Sequence, residues 1–297
     1  MLNIQRALRG MTQPPSEHQR AERFNREMAK REAGNFYWGF ISLGYHERMA
    51  IYALYNFARQ VDDEADSGGI ENLPARLKVH RKRISRCVRG DYGNDPIMRV
   101  LSEAVQRYSI PERELLMLVD GCEMDFSRSR YQTFAELADY CNLVASVVGR
   151  MCVRIFGFTD PIALHRADDL GMALQLTNIL RDVREDAVDM QRVYLPQDEL
   201  REYGIPERAL FNGEIYPGWE DFIAHSVARA RAYFATGYEV LRYIPRRPAA
   251  CVQTMAGIYE ELLKKIERNP GLPLRERAAL SKTEKLYVVV RSWLSSA

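Results

Sequence analysis

Apolar residues recur every three or four positions along most of the sequence, and this period is typical of amphipathic α-helices. Strand signals are few, so the pattern predicts an all-α protein. Short Pro and Gly clusters separate the helices, but none is long enough to link two domains. We therefore expect a single helical domain at 35–297, preceded by an N-terminal extension and a first helix at 1–34.

The most informative pattern lies in the stretch 171–196. Its apolar side chains fall on one side of a helical projection and comprise Met172, Leu176, Ile179, Leu180 and Val183. A polar row runs beside them within an arc of about 80°, and it consists of Gln175, Asn178, Asp182 and Asp186. Glu185 flanks this row and Arg181 lies at its other margin. Amides and carboxylates in one row beside a core face indicate a helix that lines a polar cavity.

Acidic side chains also end the helix predicted for 46–66. We call residues 59–66 the first acidic segment and residues 175–186 the second. One face of the earlier helix consists of Tyr52, Tyr55, Arg59, Asp62 and Asp66. Carboxylates at a helix C-terminus oppose the helix macrodipole, so this end of the helix is expected to bind cations. A solvated helix end explains the first acidic segment equally well when it is considered alone.

The two acidic segments together predict a magnesium site. Neither has His or Cys beside its carboxylates, and ligation by oxygen alone favours Mg²⁺ over zinc. Magnesium holds few protein carboxylates and fills its octahedron with water and phosphate oxygens. Two such segments facing one another would therefore bind several Mg²⁺ ions together with a phosphorylated substrate.

The remaining helices are predicted from periodicity and from capping residues. Ser16 and Ser109 each have the spacing of a capping box, and Thr133 precedes a further helix. Small residues at 145, 146 and 149 leave room for another helix or a ligand to pack closely. The predicted helices cover about 16–31, 72–89, 109–127, 133–156, 219–243 and 249–268, with a final helix after 280.

Composition excludes several classes of protein. The net charge of +2 among 297 residues is too small for a dedicated nucleic-acid binder. No apolar run reaches the length of a membrane span, and the first residues carry no stretch that fits a signal peptide. The five cysteines are scattered without zinc spacing and are expected to be free thiols. We therefore expect a cytoplasmic protein, with peripheral contact to a membrane for product release as an open alternative.

The acidic segments and their flanks resemble the squalene/phytoene synthase family from about residue 35 to 293. The matching runs are Arg59 before Asp62-Asp63-Glu64-Ala65-Asp66, then Gln175-Leu-Thr-Asn178-Ile-Leu-Arg181-Asp182-Val-Arg-Glu185-Asp186, and Arg192-Val-Tyr-Leu-Pro196. Tyr131, Tyr140 and Tyr259 fit the family as well. The resemblance implies an all-helical isoprenoid-synthase fold around a central cavity, in which two allylic prenyl diphosphates are joined head to head.

The resemblance also implies roles for individual residues. The metal ligands would be Asp62, Asp66, Asp182, Glu185 and Asp186, holding several Mg²⁺ ions. The catalytic residues would be Asp62, Asp66, Asp182 and Asp186 with Tyr259. The substrate-binding residues would be Phe36, Phe40, Tyr52, Arg59, Tyr140, Gln175, Asn178 and Arg181. Core packing explains each aromatic wall residue equally well when it is considered singly.

Within the family, several products stay open. The runs 258–268 and 280–293 resemble bacterial presqualene diphosphate synthases most, which implies that two farnesyl diphosphates give a cyclopropyl diphosphate, and that squalene could follow. The runs 175–182 and 193–200 also resemble phytoene synthases, which use geranylgeranyl diphosphate. A non-catalytic scaffold relative is expected to lose the acids that this chain keeps. Use of NADPH is undecided, since family members that use it lack a Gly-x-Gly-x-x-Gly motif, and no oligomeric state is indicated.

Overall fold

The computed structural model describes residues 15–66 and 73–295, and the side chains at 35, 64–66 and 293–295 lie outside the description. Within these ranges the chain forms fifteen α-helices and no strand, apart from one isolated bridge between Arg130 and Val193. The prediction of an all-α protein is confirmed.

The helices follow one another with short connections. They are α1 (Glu17–Glu32), α2 (Gly34–Phe40), α3 (Tyr45–Asp66), α4 (Leu73–Val88), α5 (Pro96–Tyr108), α6 (Glu112–Ser127), α7 (Phe134–Cys141), α8 (Val147–Phe156), α9 (Ile162–Arg181), α10 (Val183–Val188), α11 (Gln197–Glu202), α12 (Arg208–Asn212), α13 (Trp219–Gly237), α14 (Arg246–Arg268) and α15 (Lys282–Ser295). A π-helical turn at Asn142–Ser146 joins α7 to α8, and 3-10 turns at Tyr238–Arg242 and Leu272–Leu274 follow α13 and α14.

Helix α9 lies at the centre of the bundle and packs against α8, α13, α14 and the π-helical turn. Leu176, Ile179 and Leu180 are buried on its apolar side, as the period predicts. Gly171 permits a close approach to the π-helical turn, because a Cβ atom there would lie 2.7 Å from the carbonyl oxygen of Ala145. The small residues of the π-helical turn therefore serve helix packing.

Two local predictions were wrong. Ser109 does not cap α6, since it ends α5 in a left-handed conformation with φ of 51°, and α6 begins after Pro111. The second acidic segment is not one continuous helix either. Asp182 leaves helical geometry with φ of −103° and ψ of 10°, and α10 restarts at Val183. The hydrogen bond from the Asp186 amide to the Asp182 carbonyl is nevertheless kept at 2.8 Å, so Asp186 still follows Asp182 by one turn.

The N-terminal helix α1 is packed on the rest of the bundle. It contacts α3 and α5, and the buried Asn56 amide donates to the carbonyl oxygen of Asn25 at 2.9 Å. A division of the chain at residue 34 stays a prediction. None of the helices in the described ranges is long and apolar enough to cross a membrane. The five cysteines are free thiols, as expected.

Candidate active site

The second acidic segment carries a closely paired charge cluster at the end of α9. The Arg181 guanidinium donates to both carboxylate oxygens of Asp182, with Nε 2.8 Å from Oδ1. Arg277, in the loop before α15, approaches the same carboxylate, with its Nε 2.9 Å from Asp182 Oδ1 and 3.5 Å from Glu185 Oε2. Two arginines thus converge on one carboxylate, and Arg277 is a site residue that the sequence pattern did not indicate.

Asp186 lies in a strongly negative environment. Burial, followed by the charges of Asp182, Asp125 and Glu185, raises the pKa of Asp186 to about 8, against a smaller opposing effect of Arg192. A carboxylate whose neighbours disfavour its charge in this way would be stabilised in the ionised form by a bound cation. The arrangement at Asp186 therefore fits a divalent metal ion.

Asp125 on α6 is a second site residue that sequence reasoning missed. The hydroxyls of Tyr140 and Tyr194 each donate to one of its carboxylate oxygens at 2.7 Å, and Arg192 lies 4.0 Å away. The rings of Tyr140 and Tyr194 stack with centroids 5.3 Å apart, and Tyr131 packs on both of them. Tyr140 therefore holds a buried acid beside Asp186 in this structure.

The first acidic segment ends α3. Arg59 Nη1 lies 3.1 Å from Asp62 Oδ2, and its Nη2 lies 2.8 Å from Asp63 Oδ1. These side chains are about half exposed. The side chain of Asp66 lies outside the description, so its predicted role as a ligand has no structural test here.

Aromatic side chains connect the two acidic segments. Phe36 on α2 stacks on Tyr259 of α14, with centroids 5.7 Å apart and ring planes inclined by 26°. The Phe36 ring also lies 6.3 Å from the ring of Tyr55, which is one turn before Arg59 on α3. Phe40 packs edge to face on Tyr52 and Tyr55, at 5.9 and 6.2 Å. The predicted wall residues are therefore brought together between the two acidic segments.

Tyr259 reaches the second acidic segment directly. Burial has the largest effect on its hydroxyl, and the nearby Arg181 guanidinium and Asn178 side chain oppose that effect by lowering the pKa of Tyr259. Burial raises the pKa of Tyr259, so its hydroxyl keeps its proton at neutral pH. Asn178 also donates to Gln175 Oε1 at 3.3 Å, and its own Oδ1 is buried without a partner. Gln175 and Asn178 of the polar row are thus hydrogen-bonded to each other, and Asn178 lies beside a buried tyrosine.

A metal site is not assembled in the described part of the chain. No group of three His, Cys, Asp or Glu side chains among the described residues is arranged to hold an ion. Asp182 and Glu185 are instead partnered by Arg277. The candidate ligands are all carboxylate oxygens, which suit a hard cation such as Mg²⁺. The negative charge around Asp186 is only partly offset by Arg192. The site therefore suits a cation that brings its own anionic ligand.

Comparison with known proteins decides the family. The family model for squalene/phytoene synthase matches residues 29–284. The chain belongs to this family. As a squalene/phytoene synthase family member, it falls among enzymes of the prenyltransferase type that join prenyl diphosphates head to head.

Named relatives and solved structures of the family differ in product. A phytoene synthase of Mycobacterium bovis is 32% identical over 289 residues, covering 95% of this chain and 93% of the relative. A 15-cis-phytoene synthase of Synechococcus elongatus is 33% identical, covering 88% of each chain. A dehydrosqualene synthase structure superposes with a TM-score of 0.86 at 25% identity, covering 95% of this chain and 99% of the other. Squalene synthase HpnC from Alicyclobacillus acidocaldarius gives 0.80 at 27% identity, covering 87% and 97%.

Proposed function

We propose that this family member condenses two farnesyl diphosphates head to head to presqualene diphosphate, with one diphosphate released. The observation that carries the proposal is the position of Phe36, which contacts Tyr55 on α3, one turn before the first acidic segment, and Tyr259 beside the second. We infer that an aromatic ring in contact with both helices shortens the space left for a prenyl chain. This geometry supports the shorter, fifteen-carbon substrate.

The two acidic segments supply the ligands for magnesium. Asp62 and Asp66 would hold Mg²⁺ on one side, and Asp182, Glu185 and Asp186 on the other. Bound Mg²⁺ would neutralise diphosphate charge and assist its departure as a leaving group. The raised pKa of Asp186 supports this assignment, because the neighbouring carboxylates repel one another until a cation is present.

The arginines would hold diphosphate oxygens. Arg59 lies beside Asp62 in the first acidic segment, and Arg181 and Arg277 lie beside Asp182 in the second. A guanidinium offers several N–H donors in a fixed plane, which matches phosphate oxygens. Arg277 is 52% exposed and can turn from Asp182 towards an incoming diphosphate.

The aromatic and amide residues would surround the prenyl chains and keep water away from the allylic cation. Allylic cations are destroyed by water, so the walls must exclude it. Phe36, Phe40 and Tyr52 close the space between α2 and α3 and suit this task. The Tyr259 hydroxyl lies beside Arg181 and Asn178 and keeps its own proton, so it can orient these side chains without itself becoming charged. Proton loss on cyclopropane closure would then pass to the released diphosphate.

A second candidate is phytoene synthesis from two geranylgeranyl diphosphates. It is favoured by the relatives named above as phytoene synthases, which match at 32–33% identity over most of the chain. The same acids and arginines would serve both reactions, so the substrates differ only in the length of the chain that must fit.

Product analysis distinguishes the two candidates. The purified protein would be incubated with farnesyl diphosphate or geranylgeranyl diphosphate, with Mg²⁺ or a chelator, and with or without NADPH. The proposal expects presqualene diphosphate from farnesyl diphosphate, only with Mg²⁺, and its accumulation even with NADPH. Conversion of geranylgeranyl diphosphate to phytoene with farnesyl diphosphate untouched would establish the second candidate instead.

A further inference from the structure

The chain turns sharply at residues 188–192, just after the second acidic segment, and we call these residues the return turn. The amide of Arg192 donates to the carbonyl oxygen of Asp186 at 2.9 Å, which closes the turn. Gln191 adopts the left-handed conformation with φ of 55°, which residues other than glycine rarely adopt. The side chains at 188–191 are exposed, so apolar packing contributes little here. The shape of the return turn therefore depends on hydrogen bonds.

The side chain of Arg130 joins the return turn to the loop between α6 and α7. Its Nη1 donates to the carbonyl oxygen of Gln191 at 2.8 Å and to that of Ser129 at 2.7 Å. The Gln191 side chain donates within the turn itself, to the Val188 carbonyl oxygen at 3.0 Å. The backbone continues the pairing of the two segments, since the Val193 amide donates to the Ser129 carbonyl oxygen at 2.9 Å. Arg130 thus binds the one residue of the turn whose backbone is strained.

The second terminal nitrogen of Arg130 reaches the start of α12. Its Nη2 donates to Glu207 Oε1 at 2.7 Å, and the guanidinium carbon lies 5.8 Å from the centre of the Phe211 ring. Helix α12 packs on α10, which carries Glu185 and Asp186. Hydrogen bonds from a charged donor are stronger than neutral ones. One guanidinium therefore connects three parts of the chain next to the second acidic segment.

The return turn leads into Arg192, the cation nearest to Asp125. Arg192 Nη1 lies 4.0 Å from Asp125 Oδ2, and its backbone bond to Asp186 keeps it close to that acid as well. Two residues later, the Tyr194 hydroxyl donates to the other oxygen of Asp125 at 2.7 Å. An arginine side chain is long and rotatable, so the position of its charge depends on how firmly its backbone is held. The return turn therefore determines where the charge of Arg192 lies.

We propose that Arg130 is a positioning residue, which holds the return turn so that Arg192 stays beside Asp186 and the second acidic segment binds Mg²⁺ and diphosphate tightly. Arg130 acts through the backbone of Gln191 and Arg192 and not by contact with substrate. The effect on Mg²⁺ and diphosphate rests on the proposed function, whereas the hold on the return turn does not. Replacing residues that support a metal site in this indirect way typically costs about 10- to 100-fold in affinity.

Hydrogen exchange of the ligand-free protein tests the hold on the return turn. In Arg130→Ala, the peptide 187–194 should exchange about tenfold faster than in the parent, since a charge-assisted hydrogen bond is lost. Peptides from α9 should be unchanged. Arg130→Lys keeps the charge and a donor for the Gln191 carbonyl oxygen, so its exchange should lie between the two. Unchanged exchange in Arg130→Ala, or a rise that is equal in α9, would overturn the proposal.

Titration calorimetry with inorganic diphosphate and Mg²⁺ tests the effect on the site. Arg130→Ala and Arg192→Ala should each weaken diphosphate binding by about tenfold or more. The double variant should bind no more weakly than Arg192→Ala, because the two residues act through one charge. A merely structural role of Arg130 predicts additive losses instead, and additive losses would overturn the proposal. So would a parent protein that binds no diphosphate.

Arg99→Ala is the matched control. Arg99 is enclosed to a similar degree and makes the same kinds of contact, with its Nη2 2.7 Å from Glu17 Oε2 and its guanidinium 4.7 Å from the Tyr92 ring centre. It joins α1 to α5, which carry neither acidic segment, so Arg99→Ala should match the parent in both measurements. Equal losses of diphosphate affinity in Arg99→Ala and Arg130→Ala would contradict the role of Arg130. Turnover of farnesyl diphosphate is measured separately, so that the expected exchange and binding without turnover would refute the proposed function and leave the role of Arg130 intact.

Discussion

The Nε atom of Arg277 lies 2.9 Å from Oδ1 of Asp182, although the two residues are 95 positions apart in the chain. The proposed function requires a cation and a diphosphate at this same carboxylate. We therefore assign two roles to Arg277. It neutralises the Asp182 carboxylate in the ligand-free protein, and it binds diphosphate in the complex.

Arg277→Ala should weaken inorganic diphosphate binding in the presence of Mg²⁺ by about tenfold or more, since a hydrogen bond to a charged group contributes about 1.5–3 kcal/mol. Titration calorimetry measures this loss. Arg275→Ala is the matched control, because Arg275 is exposed in the same loop two residues earlier. Equal affinity of the two variants would refute the role of Arg277.

Asp62→Asn and Asp182→Asn should each abolish turnover while the protein stays folded, because each removes a carboxylate from one side of the proposed metal site. Steady-state assays and circular dichroism measure the two properties. Asp189→Asn, at an exposed position just after α10, should keep normal turnover. Near-normal activity of either site variant with a large fall in melting temperature would mean that the acid is structural.

Asp186 should make the metal-free protein less stable as pH rises. Its pKa is raised to about 8 in the folded state, whereas an unfolded Asp titrates near about 3.9. Between these values the folded protein binds more protons, so the stabilisation that is fully present below about pH 4 is lost as pH approaches about 8. Asp186→Asn should flatten this dependence in chemical denaturation and raise stability near pH 8. The parent slope should persist in Asp189→Asn, and a parent with no slope would contradict the assignment.

Tyr259→Phe should keep the packing on Phe36 and remove the hydroxyl that lies beside Arg181 and Asn178. We expect kcat to fall by about tenfold, the factor that corresponds to losing one orienting contact of about 1.4 kcal/mol, while the free energy of unfolding falls by only about 1 kcal/mol. Tyr238→Phe is the matched control, since that hydroxyl donates to Glu260 at 2.9 Å outside the polar row. Equal kcat values for the two variants would show that the Tyr259 hydroxyl has no part in the reaction.

Most helices and the polar row could be predicted because both are properties of local sequence. The apolar period placed Leu176, Ile179 and Leu180 in the core, and one-turn spacing placed Asn178 beside Gln175. Ser109 was misassigned because its capping-box spacing also occurs by chance, and here the residue adopts the left-handed conformation that ends the preceding helix.

The residues that sequence reasoning missed reach the site only through the fold. Asp125 meets Tyr194 across 69 positions, and Arg277 meets Asp182 across 95. The sequence around Asp125 and around Arg277 shows no helical repeat of polar residues, so neither residue could be distinguished from an ordinary surface charge. Asp125 sits four residues after Gly121, where α6 packs closely on Leu143 and Val144 of the π-helical turn. Such a contact depends on how helices pack, which local spacing does not specify.

The most direct test is the fate of labelled farnesyl diphosphate incubated with the protein and Mg²⁺. The account predicts presqualene diphosphate, with one diphosphate released for every two farnesyl diphosphates consumed, and no product in excess chelator or with Asp182→Asn. Full turnover in excess chelator would contradict the role of the two acidic segments. Absence of any condensation product from either farnesyl or geranylgeranyl diphosphate in the presence of Mg²⁺ would contradict the account as a whole.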